Sequence, residues 1–146
     1  MAAQAWTIYN EAKDKIGTGA INLSADTFRI ALCKSTSNAA TATLSLFSEV
    51  TNEVNTSWGY ADKTLSATTW STGASASEMR FDSTAVFWSA NGGTITSIQF
   101  AVIFKSASAG GGPLLCYSSL SSSVFEVTDT NRLTITPAAN GIFELN

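Results

Sequence analysis

From Thr27 onward the chain alternates. In Thr27-Phe28-Arg29-Ile30-Ala31-Leu32 the larger apolar residues Phe28, Ile30 and Leu32 recur at every second position, the period of a half-buried strand. Comparable short runs follow at Glu49–Val54, Lys63–Trp70, Glu78–Phe81, Ala85–Ser89 and Ser97–Phe104, then at Leu114–Leu120, Val124–Val127, Arg132–Thr136 and Ile142–Leu145. Turn chemistry separates them: Trp58-Gly59, Ser71-Thr72-Gly73, Asn91-Gly92-Gly93, the glycines before Pro113, Asp129-Thr130-Asn131 and Asn140-Gly141. Many short strands with almost no helix between them predict an all-β fold, an antiparallel β-sandwich or jelly roll. A parallel β-α-β architecture is excluded because no segment offers crossover helices.

Helical spacing occurs once. Trp6, Tyr9, Ala12 and Ile16 share one face of a helix predicted over Trp6–Ile16, with Asn10, Glu11, Asp14 and Lys15 opposite and Gly17 and Gly19 ending it. So short a helix needs something to dock on: the domain's own core, or a neighbouring subunit if the segment is a swapped arm. Residues 1–19 are thus read as an N-terminal helix or arm and residues 20–146 as a single β-sandwich domain. Ser35–Leu46, with no clear period, reads as a long loop or mobile surface excursion.

The 146-residue chain fits one domain and needs no disulfide framework to build a core. Cys33 and Cys116 each sit in an apolar run, which predicts two buried free thiols, with one disulfide as the alternative. No apolar run reaches the roughly 20 residues of a membrane span, and the N-terminal sequence lacks a signal-peptide pattern, so a soluble protein without a secretory route is expected.

Only 13% of residues are charged, the net charge is −3, and serine and threonine make up about a quarter of the chain. The eight Lys and Arg residues are scattered, without the basic patch of a nucleic-acid partner. A surface poor in charge is cheap to desolvate against another protein, which leans toward assembly.

Candidate chemistry is sparse. The run Ala109-Gly110-Gly111-Gly112-Pro113 lacks the Lys-Ser/Thr pair and the following helix of a phosphate loop, so it reads as a flexible connection between buried strands, with Lys105 and the small residues after it as an exposed tip. There is no histidine, which removes the usual Ser-His-Asp and Cys-His nucleophile systems and a zinc site. The pairs Glu78/Asp82 and Glu126/Asp129 are the available carboxylates for hydrolase chemistry, but both lie beside turns where solvated carboxylates are ordinary. No catalytic, cofactor or metal residue is therefore assigned, and a non-enzymatic protein is expected. Trp58 and Tyr60, with Trp70 and Trp88, form a candidate stacking platform for a sugar; in the competing reading Trp88 is core and Trp58 and Tyr60 cover one end of the sandwich.

The order of short motifs carries a resemblance. The N-terminal helix is followed by Ile16-Gly17-Thr18-Gly19, Ile21-Asn22-Leu23 and Asp26-Thr27-Phe28-Arg29-Ile30-Ala31-Leu32. Asn52-Glu53-Val54, Gly59-Tyr60, Phe87-Trp88-Ser89, Ala101-Val102-Ile103-Phe104 and Pro113-Leu114-Leu115 come next. This resembles a group of small structural proteins of tailed bacteriophages, with Phe104 where tyrosine is common and Cys116 where glycine is common. The resemblance implies a virion component similar to the decoration (cement) proteins on the outside of icosahedral heads. It further implies a major capsid protein as partner, self-association as a homo-oligomer with a trimer favoured, synthesis in the host bacterial cytoplasm and residence on the head surface. Candidate capsid or subunit contacts are Trp6, Ile8 and Tyr9 in the arm and Ser35, Leu44 and Leu46 in the loop. The alternative is a tail, collar or fibre-associated protein binding host-surface carbohydrate through Trp58 and Tyr60.

Overall fold

The computed structural model describes residues 5–107 and 111–145. It is an antiparallel all-β sandwich with one short α-helix near the N-terminus, the fold class expected from the alternation. The main sheet has six strands. Its long members are β2 (Phe28–Lys34), β7 (Ile95–Lys105) and β8 (Leu114–Ser119). β1 (Thr7–Ile8) and β3 (Lys63–Thr64) form its edges, in the order β1-β8-β7-β2-β3, and β9 (Phe125–Val127) pairs with the first part of β7. Two smaller sheets complete the fold: β4 (Thr69–Thr72), β5 (Met79–Asp82) and β11 (Phe143–Leu145) in one, β6 (Val86–Ser89) and β10 (Arg132–Ile135) in the other.

Register explains why the central strands are almost continuously apolar. Ile30 pairs with Ile103 and Ile103 with Cys116, while Ala31 pairs with Val102 and Val102 with Tyr117. Successive residues in this register point to opposite faces, and both faces are covered. On one face Phe28 meets Phe81 edge-on at 5.1 Å between ring centroids, and Ile30 and Ile103 face Leu65, Val86, Ile135 and Ile142. On the other, Tyr9 packs on Tyr117 at 4.9 Å and its hydroxyl donates to the Ala39 carbonyl.

The same register settles the cysteines. Cys33 lies opposite Phe100, whereas Cys116 lies opposite Ile103, three residues along β7 and on the other face of the sheet. A disulfide is out of reach, and both thiols are free and buried. Burial pushes Cys33 up to about 12 and Cys116 well above its ordinary value. The folded protein is therefore expected to show no reaction with a thiol reagent at neutral pH and two equivalents once denatured; a thiol titration with and without guanidinium checks this.

Several sequence expectations change. Helix α1 spans Asn10–Gly17, not Trp6–Ile16. Thr7 and Ile8 are β-branched and instead pair with Tyr117 and Cys116 on the open edge of β8. Tyr9 and Ala12 are fully buried in the common core, so residues 5–19 dock on the chain's own sandwich. The predicted strand Glu49–Val54 is absent. Phe47–Glu49 forms a 3-10 turn capped by Glu49, whose Oε2 accepts from the Ser45 and Leu46 amides. Asn52 then takes a left-handed φ of 54°, leaving only a bridge between Glu53 and Cys33. The predicted strand Lys63–Trp70 is split between β3 and β4, with Ala67 at φ 50° in the gap.

Ser35–Leu46 is a loop but not an excursion. Its Asn38 side chain donates to the Glu49 carbonyl and accepts from the Thr51 amide, Ala39 is fully buried, and the Asn10 amide donates to the Ala42 carbonyl. Lys105 is not an exposed tip either: its ammonium lies 2.9 Å from Asp26 Oδ2 and donates to the Ala20 carbonyl. The glycine run joins β7 to β8 without any helix following it; Ala109 and Gly110 lie outside the described residues. Among the described residues no helix is long and apolar enough to cross a membrane.

Candidate functional site

The polar residues in the sequence motifs form a frame. Arg29 Nε donates to Asp62 Oδ2 at 2.7 Å and its Nη2 to the Asp62 carbonyl. Further along β2, the Leu32 amide donates to the buried Tyr60 hydroxyl at 2.9 Å, and that hydroxyl donates to Glu53 Oε1 at 2.7 Å. Trp88 Nε1 donates to the carbonyl of Ala61, next to Tyr60 in the chain. Residues from the Asp26–Leu32, Asn52–Val54, Gly59-Tyr60 and Phe87–Ser89 motifs thus meet across long sequence separations. These polar groups hold β2 to the 50s loop and the second layer.

Burial pushes the Glu53 carboxyl above its ordinary value, against the Tyr60 hydrogen bond, which pulls it down. The folded chain then holds this proton more tightly than the unfolded chain. The stability that goes with it is present on the acid side and lost as pH rises through the folded-state value. Glu53→Gln keeps an oxygen acceptor for Tyr60 and removes the titration. Its stability relative to wild type is expected to improve between about pH 4 and pH 7, read from urea midpoints at each pH; a constant difference would contradict this.

Glu78 accepts from the Ser75 amide, Asp82 from the Ser83 amide, and Asp129 from the amides of Gly92 and Thr130, while Glu126 is exposed on β9. Glu78 and Asp129 bond amides at turns, and Asp82 bonds the amide that follows the end of β5. Among the described residues no group of three or more His, Cys, Asp and Glu side chains gathers for a metal.

The candidate sugar platform is not assembled at the surface, and the competing reading of Trp88 as core holds. Trp88 is fully buried and Tyr60 is 3% exposed, whereas Trp58 is 52% exposed. Tyr60 therefore cannot present a face to a ligand; its hydroxyl partners on β2 and Glu53 draw it inward. Trp70 is half-buried on β4 opposite Phe81. Of the four, Trp58 alone is exposed, and it lines a cleft of about 130 Å³ together with Lys34, Asn55, Ser57, Thr94 and Thr96.

The nominated contact residues fare differently. Tyr9 is fully buried and offers no surface, and Trp6 and Ile8 are half-buried against the core. Leu44 is half-buried, and Leu46 and Ser35 are exposed. The arm and the loop are nonetheless brought together. Besides the Tyr9–Ala39 and Asn10–Ala42 bonds, Lys15 Nζ donates to Ser45 Oγ at 2.8 Å. Leu46 bridges Pro113, and Phe47 stacks on Phe104 at 3.9 Å. Helix α1 and the loop thus form one layer over the main sheet, from which Leu46 projects. Ser35 lies apart, its amide bonded to the Ser97 carbonyl.

Sequence reading also passed over Phe87. It is 44% exposed on the outer face of β6, with Lys63 Nζ 4.9 Å and Arg132 Cζ 4.2 Å from its ring centroid. The alternation Val86-Phe87-Trp88 signals that one of two adjacent aromatics faces outward, though not which. No known protein family, curated protein or solved structure matches the chain.

Proposed function

We infer that the protein is a non-enzymatic virion component, a decoration protein that binds the outside of a phage head and stabilises the capsid lattice. The observation that carries this reading is the single layer built from α1 and the 35–46 loop. Two segments far apart in sequence are bonded into one surface, whose loop half, Ser35–Leu46, carries no charged residue and leaves an apolar side chain, Leu46, facing out. The motif residues support the same reading, because they bond the sandwich into one frame.

The mechanism is additive. Each subunit bridges neighbouring capsid subunits, self-association multiplies individually weak contacts through effective concentration, and binding only the mature lattice stabilises it by linkage. A domain whose main sheet is covered on both faces suits this role because a pre-organised surface loses little conformational entropy on docking.

Removal of the arm would take β1 and Tyr9 out of the core, so a surface variant is the sharper test. Leu46→Glu is expected to fold normally and to lose co-sedimentation with undecorated heads of the encoding phage. Wild-type protein that fails to co-sediment with such heads would overturn the reading.

A further inference from the structure

Trp58 sits where a tryptophan gains little. Its backbone is left-handed, φ 54°, in the turn Ser57-Trp58-Gly59-Tyr60 closed by the Tyr60 amide on the Ser57 carbonyl at 2.9 Å. For a bulky side chain that conformation costs on the order of 1 kcal/mol. Half of the ring is exposed, so burial recovers only part of what a tryptophan can contribute. Strain of this kind persists where surrounding structure over-determines it, and here it does. Gly59, at φ 89°, has no room for a side chain, since a Cβ would collide with the Ser89 carbonyl oxygen. The Asn91 amide donates to the Trp58 carbonyl at 3.1 Å.

The ring itself is clamped. A Cβ on Gly93 would collide with three indole atoms, so one ring face rests on glycine backbone with no side chain between them. The Gly92 amide is in turn held by Asp129 Oδ1 at 2.8 Å. The indole is therefore a rigid shelf with its other face open to solvent.

Beside this shelf lies the 130 Å³ cleft. Its polar lining is Lys34, Asn55, Ser57, Thr94 and Thr96, hydroxyls and an amide with one cation and no carboxylate. Lys34 Nζ donates to Asn55 Oδ1 at 2.8 Å, and among the described residues no carboxylate pairs with it. The cleft is too small to engulf a drug-sized ligand, for which pockets are roughly 300 Å³ or larger. It suits one polar substituent of a ligand whose flat body rests outside, on the indole.

We propose that Trp58 and this cleft bind an acidic sugar unit of an oligosaccharide, a hexuronic acid in pyranose form. The apolar C–H face of the ring stacks on the indole, and the hydroxyls replace water at Asn55, Thr94 and Thr96. The carboxylate enters beside Lys34, the only charge in the lining. A neutral sugar gains the stacking but not the ion pair, so the site discriminates by charge. Affinity is weak for a single shallow site, in the millimolar range. Nothing in this assignment depends on where in a virion the protein sits, so its failure and the failure of the decoration reading are separate outcomes.

The test follows the four indole N–H signals of the ¹⁵N-labelled protein while tri-galacturonate, or the neutral galactotriose, is added. The signal lost in Trp58→Ala identifies Trp58. Saturable movement of that signal with the acidic trisaccharide is expected, with about tenfold weaker binding of the neutral one and of the acidic one to Lys34→Met. The lysine variant keeps Trp58 in place and guards against a folding defect in Trp58→Ala. No movement with either trisaccharide overturns the site, and equal binding of the two overturns the role of Lys34. Dissociation of an oligomer by Trp58→Ala, without sugar binding by wild type, would instead assign the shelf to a protein interface and likewise overturn the proposal.

Discussion

Trp88→Ala is expected to destabilise the protein by about 3–5 kcal/mol, a large share of the roughly 5–15 kcal/mol that holds a domain folded. Trp88 is fully buried on β6, its indole N–H donates to the Ala61 carbonyl at 2.7 Å, and its ring lies 6.2 Å from that of Tyr60. Truncation removes the apolar contacts of the second layer and leaves a void the surrounding strands cannot fill. It also strips the Ala61 carbonyl of its donor. Its neighbour supplies the control. Phe87 is on the same strand but points outward, and its ring contacts are the two surface cations. Phe87→Ala is therefore expected to cost about 1 kcal/mol or less. Urea unfolding of both variants checks the contrast; similar losses would mean that the alternation on β6 has been read in the wrong register.

Gly112→Ala is expected to cost about 3 kcal/mol, more than adding a methyl group usually does. A Cβ at this position would collide with the Lys105 carbonyl oxygen and lie 2.9 Å from its carbon, both backbone atoms. The backbone has little room to retreat. The Lys105 amide donates to the Pro113 carbonyl at 2.8 Å and the Phe47 amide to the Gly112 carbonyl at 2.9 Å, so moving either strand breaks the junction of β7, β8 and the 3-10 turn. Gly17, at the end of α1, is the opposite case: a methyl group added there would meet nothing within 4 Å. Gly17→Ala is expected to be neutral or to stabilise by about 0.5–1 kcal/mol through the unfolded chain. Thermal unfolding of the two variants reads the difference directly, and a Gly112→Ala protein as stable as wild type would refute the close approach.

These cases show what the residue pattern carried. Alternation placed most of the strands to within a few residues, because period 2 is imposed by the backbone itself. It failed where a segment's partner was decided at long range. Trp6–Ile8 looked helical, but β8 needed an edge partner; Glu49–Val54 looked like a strand, but Glu49 caps a turn and Asn52 reverses the backbone. Tyr60 was the largest miss at the site. Beside the Trp58-Gly59 turn it reads as exposed, and only the Leu32 amide, 28 residues away, and Glu53 explain why it is buried. Trp58 itself was legible as a surface aromatic. The cleft beside it was not, because Lys34, Asn55 and Thr94 come from three separate segments. The joining of the arm to the 35–46 loop was equally invisible, since it rests on a handful of bonds such as Lys15 to Ser45.

The proposal that the protein decorates a phage head is tested by quantitative mass spectrometry of purified virions of a phage whose genome carries this sequence, separated into heads and tails. A decoration protein is recovered with the heads, in numbers comparable to the major capsid subunit. Recovery only with tails, or absence from both fractions, would contradict that role.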